Sequence, residues 1–193
     1  MRGPCCARMR FDPSRAIIVA DGKLHIFSIY SGFGAYKRIR SAVNAITKLA
    51  GHRWRCSSEM WKFDLLRACQ PMREMARRDG PGADILIVAT GSLEQRGSDL
   101  IEWLDALAPL PPARFGLLIG LLGDEDNEST ELDWTARQLI RCAEKMHRKF
   151  LWNWVGYHDV DDAEWLAGGV EKLLALKQSA RTELVFETTT VVS

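Results

Sequence analysis

Short, unbroken apolar runs alternate with stretches of helical periodicity along most of the chain. Leu24 to Tyr30 (LHIFSIY) reads as a buried strand, with a Ser-Gly-Phe-Gly turn behind it. Ile39, Ala42, Val43, Ile46, Leu49 and Ala50 then recur at helical spacing, and Gly51 stands where a helix C-terminus is usually closed. Ser58 to Asp64 is a second strand, and Pro71 lies in the first turn of a helix ending near Gly80. Ala83 to Thr90 (ADILIVAT) is the clearest strand, apolar on both faces after its first two residues. Asp99 to Ala108 is a helix stopped by Pro109, Pro111 and Pro112, and Arg114 to Leu122 is a fourth strand. A long helix over 131–148, a strand over 150–156 and a helix over 161–178 with an acidic first turn complete the series.

Five strands alternating with five helices predict a parallel sheet covered on both faces, a three-layer α/β sandwich. Runs without polar alternation fit strands buried on both sides. Right-handed crossovers leave few topologies, and the flavodoxin-like order 2-1-3-4-5 is the commonest for five units. That order places strands 1 and 3 side by side and opens a crevice at their carboxyl ends. It would be lined by residues 30–35 and 90–97.

The ends of the chain fit less well. Residues 1–22 read as a poorly ordered leader or an extra strand, and 23–178 as the domain. Residues 179–193 read as a tail or an edge strand, with Thr and Val enriched over 184–192. Ala16 to Ala20 followed by Asp21-Gly22 is a hairpin signal into Leu24. A strand 1 with neighbours on both sides leaves that hairpin no place.

Composition adds bounds. In 193 residues, 26 Lys+Arg against 25 Asp+Glu leave a net charge of +1. This excludes a polyanion binder acting through bulk charge, so nucleic acid is not an expected partner. With 47% hydrophobic residues the chain is not disordered by composition. No run approaches the ~18 apolar residues of a membrane helix. Cys5, Cys6, Cys56, Cys69 and Cys142 include no C-x-x-C pair, which predicts reduced thiols, a cytoplasmic location and no zinc site.

Candidate chemistry begins at Tyr30-Ser31-Gly32-Phe33-Gly34-Ala35-Tyr36, between the first strand and its helix. A phosphate sits there in such folds, held by backbone N–H groups that glycines let it approach. Tyr30, Ser31 and Gly34 make the segment resemble the Tyr-Ser-x-x-Gly-x-Thr turn of flavodoxins and related quinone reductases. Ala35 and Tyr36 depart from it. The resemblance implies an FMN-binding redox protein, with Ser31, Gly32 and Gly34 at the phosphate and Thr90, Gly91 and Ser92 bordering the ring system. Gly123-Asp124 is similar to the end of a flavodoxin strand. It opens an acidic loop (Asp124, Glu125, Asp126, Glu128, Glu131, Asp133) without the ordered spacing of a calcium site.

The same architecture resembles receiver domains of two-component signalling. Those require an acidic pair, a phosphorylated Asp and a Lys where this chain has Tyr30-Ser31, Thr90-Gly91 and Tyr157-His158. The stretch from Leu24 to Gly156, with residues 61–66, 83–89 and Trp103-Leu104, also resembles an uncharacterised group of bacterial proteins. That likeness implies a fold and a bacterial origin. No nucleophilic triad presents itself, since His25, His52, His147 and His158 are scattered. Trp152 and Trp154, two apart on a strand, read as packing or interface anchors.

A basic stretch remains: Lys37, Arg38, Arg40, Lys48, Arg53 and Arg55, with no acid among them. Elimination favours a non-catalytic, receiver-like interaction or regulatory domain that needs no cofactor. Its surface would use Lys37, Arg38 and Arg40, with Trp103 or Trp134 as apolar anchors. The partner would be another protein or a second copy. An FMN-binding redox protein is the alternative.

Overall fold

The computed structural model describes residues 22–90, 97–107, 116–123, 131–154 and 164–189, with backbone alone at 97–98, 131–133, 154 and 181–189. Five strands, β1 (Gly22–Ser31), β2 (Trp54–Lys62), β3 (Ile85–Thr90), β4 (Leu117–Leu122) and β5 (Lys149–Trp154), form one sheet in the order β2-β1-β3-β4-β5. Every neighbouring pair is parallel. This is the flavodoxin-like α/β arrangement expected from the pattern. The hairpin expected at 16–22 and the leader fall outside the described residues, as do Gly91, Ser92 and most of the acidic loop.

Among the described residues six α-helices cover the sheet: α1 (Phe33–Ala50), α2 (Phe63–Ala68), α3 (Gln70–Asp79), α4 (Gly97–Asp105), α5 (Glu131–Lys145) and α6 (Glu164–Thr189). The two faces carry separate cores. Leu24, Ile26, Ile85, Ile87, Leu117 and Ile119 pack beneath α1 and α6. Phe27, Ile29, Leu86, Val88 and Leu118 point the other way, among residues of α2 to α5. Period-two alternation sends neighbouring residues of each strand to opposite layers, so β3 and β4 must be apolar throughout. Every residue of both is buried.

Four boundaries differ from the sequence pattern. β2 starts at Trp54 and ends at Lys62, because Phe63 and Leu66 are a buried i, i+3 pair and already belong to α2. The single helix before Gly80 is preceded by α2, and the two break at Cys69. Pro71 cannot donate to the carbonyl four residues back, on Arg67. Arg73 takes over: its Nε donates to Leu66 O at 2.8 Å and its Nη2 to Arg67 O. α5 ends at Lys145, short of Arg148, where His147 adopts φ 54° and Arg148 N–H reaches back to Ala143 O. α6 continues to Thr189, so residues 184–189 are helical and not an edge strand.

Among the described residues no helix is long and apolar enough to cross a membrane.

Candidate functional site

The crevice forms where β1 and β3 lie side by side. Ser31 is the register partner of Thr90, and its Oγ donates to Thr90 Oγ1 at 3.0 Å. Thr90 is buried. Gly32 then takes φ +91°, a region costly for any residue with a Cβ, and the chain turns directly into α1. The first helical bond runs from Tyr36 N–H to Gly32 O. No side-chain hydrogen bond caps this helix start, and its first turn holds no acid to meet the partial positive charge of the helix end. Gly34 is exposed in that turn.

Arg38, in the second turn of α1, does not project into solvent as expected. It leans over the sheet edge, donating from Nη1 to Leu122 O (3.0 Å) and from Nη2 to Thr90 O (3.1 Å). These are the last carbonyls of β4 and β3, which parallel pairing leaves open at a strand end. The guanidinium thus straps the ends of β3 and β4, beside the crevice. Lys37 and Arg40 are exposed, as their spacing against the buried Ile39 and Val43 predicts.

Beside the crevice lies a group of rings. Tyr30 and Tyr36 are 5.4 Å apart between centroids, and Phe33 stacks on Tyr36 at 6.3 Å with a 23° interplanar angle. Lys37 Nζ stands 4.8 Å above the Phe33 ring, and Arg40 Cζ 5.9 Å from that of Tyr36. Phe33 is 71% exposed. Helical spacing accounts for this: 33, 36, 37 and 40 occupy one face, turned away from the 35, 39, 42, 46 stripe that meets the sheet. Within the glycine turn of the sequence pattern, Phe33 stands only as a spacer. The signal is present all the same, since an aromatic followed at i+3 and i+4 by Tyr and Lys makes such a face.

The two expected anchors divide. Trp103 is 5% exposed and stacks on Phe27 at 6.4 Å and 9°. It shares the apolar stripe of Leu100, Leu104 and Leu107, so it is a core residue and cannot serve as a surface anchor. Trp134 is 46% exposed, but α5 lies in the opposite helical layer from α1. The structure does not bring it to the Phe33 surface.

A second constellation occupies the amino ends of the strands. Asp84 Oδ2 accepts the backbone N–H of His25 at 2.8 Å, and its Oδ1 is bonded to Lys177 of α6. Arg148 is buried beside it and donates to Ala83 O (2.8 Å), Pro81 O (3.2 Å), and more weakly to Asp84 O and Leu117 O (both 3.4 Å). Burial lowers the Arg148 pKa from its ordinary value, and the Asp84 charge partly opposes this. These groups tie β1, β3, β4 and α6 together. They face the end of the sheet opposite the crevice. Asp84 was visible in the sequence only as a polar start to an apolar run.

Elsewhere, a cleft of about 350 Å³ separates α2 and α3 from α4, with Trp103 in its lining and the Arg67–Asp99 ion pair (3.0 Å) across it. Cys142 is buried, hydrogen-bonded to Asp105, and its thiol is pushed up to about 12, by burial first and the neighbouring carboxylate second. A thiol so protonated is a poor nucleophile. Among the described residues, no three His, Cys, Asp or Glu side chains converge as a metal would require.

No family model matches the chain, and no curated protein matches it in sequence. Among solved structures it is similar to a short-chain flavodoxin associated with a non-canonical PDU bacterial microcompartment. That match has 15% identity, covers 79% of this chain and 98% of the other, and gives a TM-score of 0.48. The flavodoxin-like fold of this chain rests on its own strand order and all-parallel pairing.

Proposed function

We propose that this chain is a non-catalytic interaction domain of a bacterial cytoplasm, receiver-like in role but without a phosphoacceptor, which docks an acidic protein segment on the first turns of α1. The observation that carries the reading is the exposed Phe33–Tyr36 stack roofed by Lys37 and Arg40. Exposed rings supply apolar area to a partner, and cations held over them select for carboxylates. The helix N-terminus, with no acid in its own first turn, adds to the same positive field.

FMN binding is the second reading, favoured by the φ of Gly32 and the uncapped helix start, which together suit a phosphate. The surrounding side chains fit that group poorly. Ser31 already donates its hydroxyl to Thr90, Ala35 and Tyr36 stand where polar residues would hold phosphate, and Arg38 spans the strand ends beside it.

The test uses a labelled peptide with the sequence of residues 124–133, an acidic segment of this same chain. Its anisotropy is titrated with protein at about 50 and about 500 mM salt, since screening acts over roughly 10 Å at 0.1 M. Binding at low salt should weaken at least tenfold at high salt and in Lys37→Glu/Arg40→Glu. A peptide indifferent to both changes overturns the reading. Free FMN added in parallel should keep its fluorescence, and quenching with a shifted visible spectrum would replace this reading by the redox one.

A further inference from the structure

A different part of the molecule carries an inference independent of α1. β2 is an edge strand, bonded among the described residues only to β1. Exposed edges offer unpaired N–H and C=O groups, and proteins usually blunt them with short strands, prolines or bulges. β2 has none of these. It is nine residues long, contains no proline, and runs in unbroken register with β1 from Gly22↔Trp54 to Tyr30↔Lys62. Its centre is open, with Arg55, Ser57 and Ser58 exposed. The opposite edge, β5, has six residues.

Charge is the remaining guard, and here its placement is self-complementary. In an antiparallel pair related by a two-fold axis through the sheet, opposed residues point to the same face, so only partners of equal parity can meet. Centred on Ser57, the strand sets Ser57 opposite itself, Cys56 opposite Ser58, Trp54 opposite Met60, and Arg55 opposite Glu59. The symmetry makes the Arg55–Glu59 pair twice. Other centres fail. Ser58 sets Arg55 against Trp61 and Glu59 against Ser57, Cys56 opposes Arg55 to Ser57 and leaves Glu59 beyond the pairing, and Glu59 faces itself in the next register. Arg55 has no partner among the described residues of its own copy, while Glu59 lies 3.3 Å from His25 Nε2 and remains 41% exposed. Trp54 and Met60 already pack at the rim of the α1–α6 core, so that pairing sets the two apolar rims edge to edge.

We infer that β2 is a homodimerisation edge: a second copy of this chain pairs antiparallel with it, centred on Ser57, joining two five-stranded sheets into one held in register by reciprocal Arg55–Glu59 ion pairs. Like charges directly opposite destabilise a strand pair, so charge reversal tests the register as well as the surface. Both side chains are partly or fully exposed, and neither belongs to a core.

Sedimentation velocity on the full chain over a micromolar range reads the result. Wild type should be dimeric. Arg55→Glu alone places Glu against Glu, and Glu59→Arg alone places Arg against Arg, so each variant should shift the dimer dissociation constant upward at least tenfold. An equimolar mixture of the two should recover a dimer, because every cross-strand pair is then Glu with Arg. The double variant Arg55→Glu/Glu59→Arg should recover it too. A loss of folding cannot mimic the mixture's recovery. The α1 reversal Lys37→Glu/Arg40→Glu should leave this dimer intact, which separates the β2 interface from α1 docking. A monomeric wild type, single variants whose dissociation constants rise less than tenfold, or a mixture that fails to recover overturns the inference.

Discussion

Replacing Arg148 by Met tests what holds the amino end of the sheet. The guanidinium makes two bonds of ordinary length, to Ala83 O and Pro81 O, and two long ones at 3.4 Å. Hydrogen bonds to a charged group contribute about 1.5–3 kcal/mol each, so the two good ones contribute roughly 3–6 kcal/mol. Keeping a guanidinium 7% exposed offsets part of that, since desolvating an ion costs several kcal/mol before pairing. Met removes that cost and keeps most of the volume, but leaves the carbonyls of Pro81 and Ala83 without this donor. Asp84 retains Lys177, so no carboxylate is stranded. The net expectation is a loss of about 2–4 kcal/mol, or roughly 4–16 °C at the 2–4 °C per kcal/mol of a domain this size.

Urea unfolding followed by tryptophan fluorescence measures the loss, with the slope checked for constancy. Gly116 provides an internal control. A Cβ there would lie 2.6 Å from Arg148 Nη1, so Gly116→Ala should destabilise wild type. It should cost much less in the Arg148→Met background, where the facing side chain is slimmer and uncharged. If Arg148→Met were neutral or stabilising, the desolvation cost would exceed the hydrogen bonds. The network would then be no clamp. If the two substitutions were additive, the contact inferred at Gly116 would be absent.

Two further outcomes follow from the structure. Cys142 should remain a thiol in the folded state to about pH 12 while the unfolded thiol ionises near 9.0; the native state then holds the extra proton, so stability falls as pH rises from about 9 toward 12, by at most ~1.4 kcal/mol per unit, and Cys142→Ala should flatten that decline in alkaline urea melts, an unchanged slope refuting it. Arg38→Leu should cost about 1–2 kcal/mol by the same melts, below the sum of two charged bonds because water reaches the freed carbonyls of Thr90 and Leu122; a loss above about 4 kcal/mol would mean that the strap organises the whole carboxyl edge.

The sequence by itself determined the scaffold. Continuous apolar runs at 85–90 and 117–122 can be satisfied only by strands buried on both faces, and helical stripes such as Ile39, Val43 and Ile46 only by cover for those faces. That strands 1 and 3 lie side by side followed from strand order, whereas the register that sets Ser31 against Thr90 is a property of the assembled sheet. Edge strand β2 was misplaced because half-exposed positions carry a weak pattern, and α2 because its apolar pair at Phe63 and Leu66 is too short to show a period. Trp103 showed the limit of reading type without place. A large aromatic suits a core and an interface equally, and only packing against Phe27 decided. Arg38 made the same point in reverse. Helical spacing put it near solvent, but the overhang of α1 beyond the sheet set its guanidinium within reach of two carbonyls from strands 52 and 84 residues away along the chain. The clamp of Arg148, Asp84 and Lys177 and the self-complementary edge at Ser57 are of that kind. Periodicity records which face a residue must bury, because burial repeats along an element. A hydrogen bond or ion pair between distant segments leaves no periodic trace, so only the assembled sheet could show which polar groups meet.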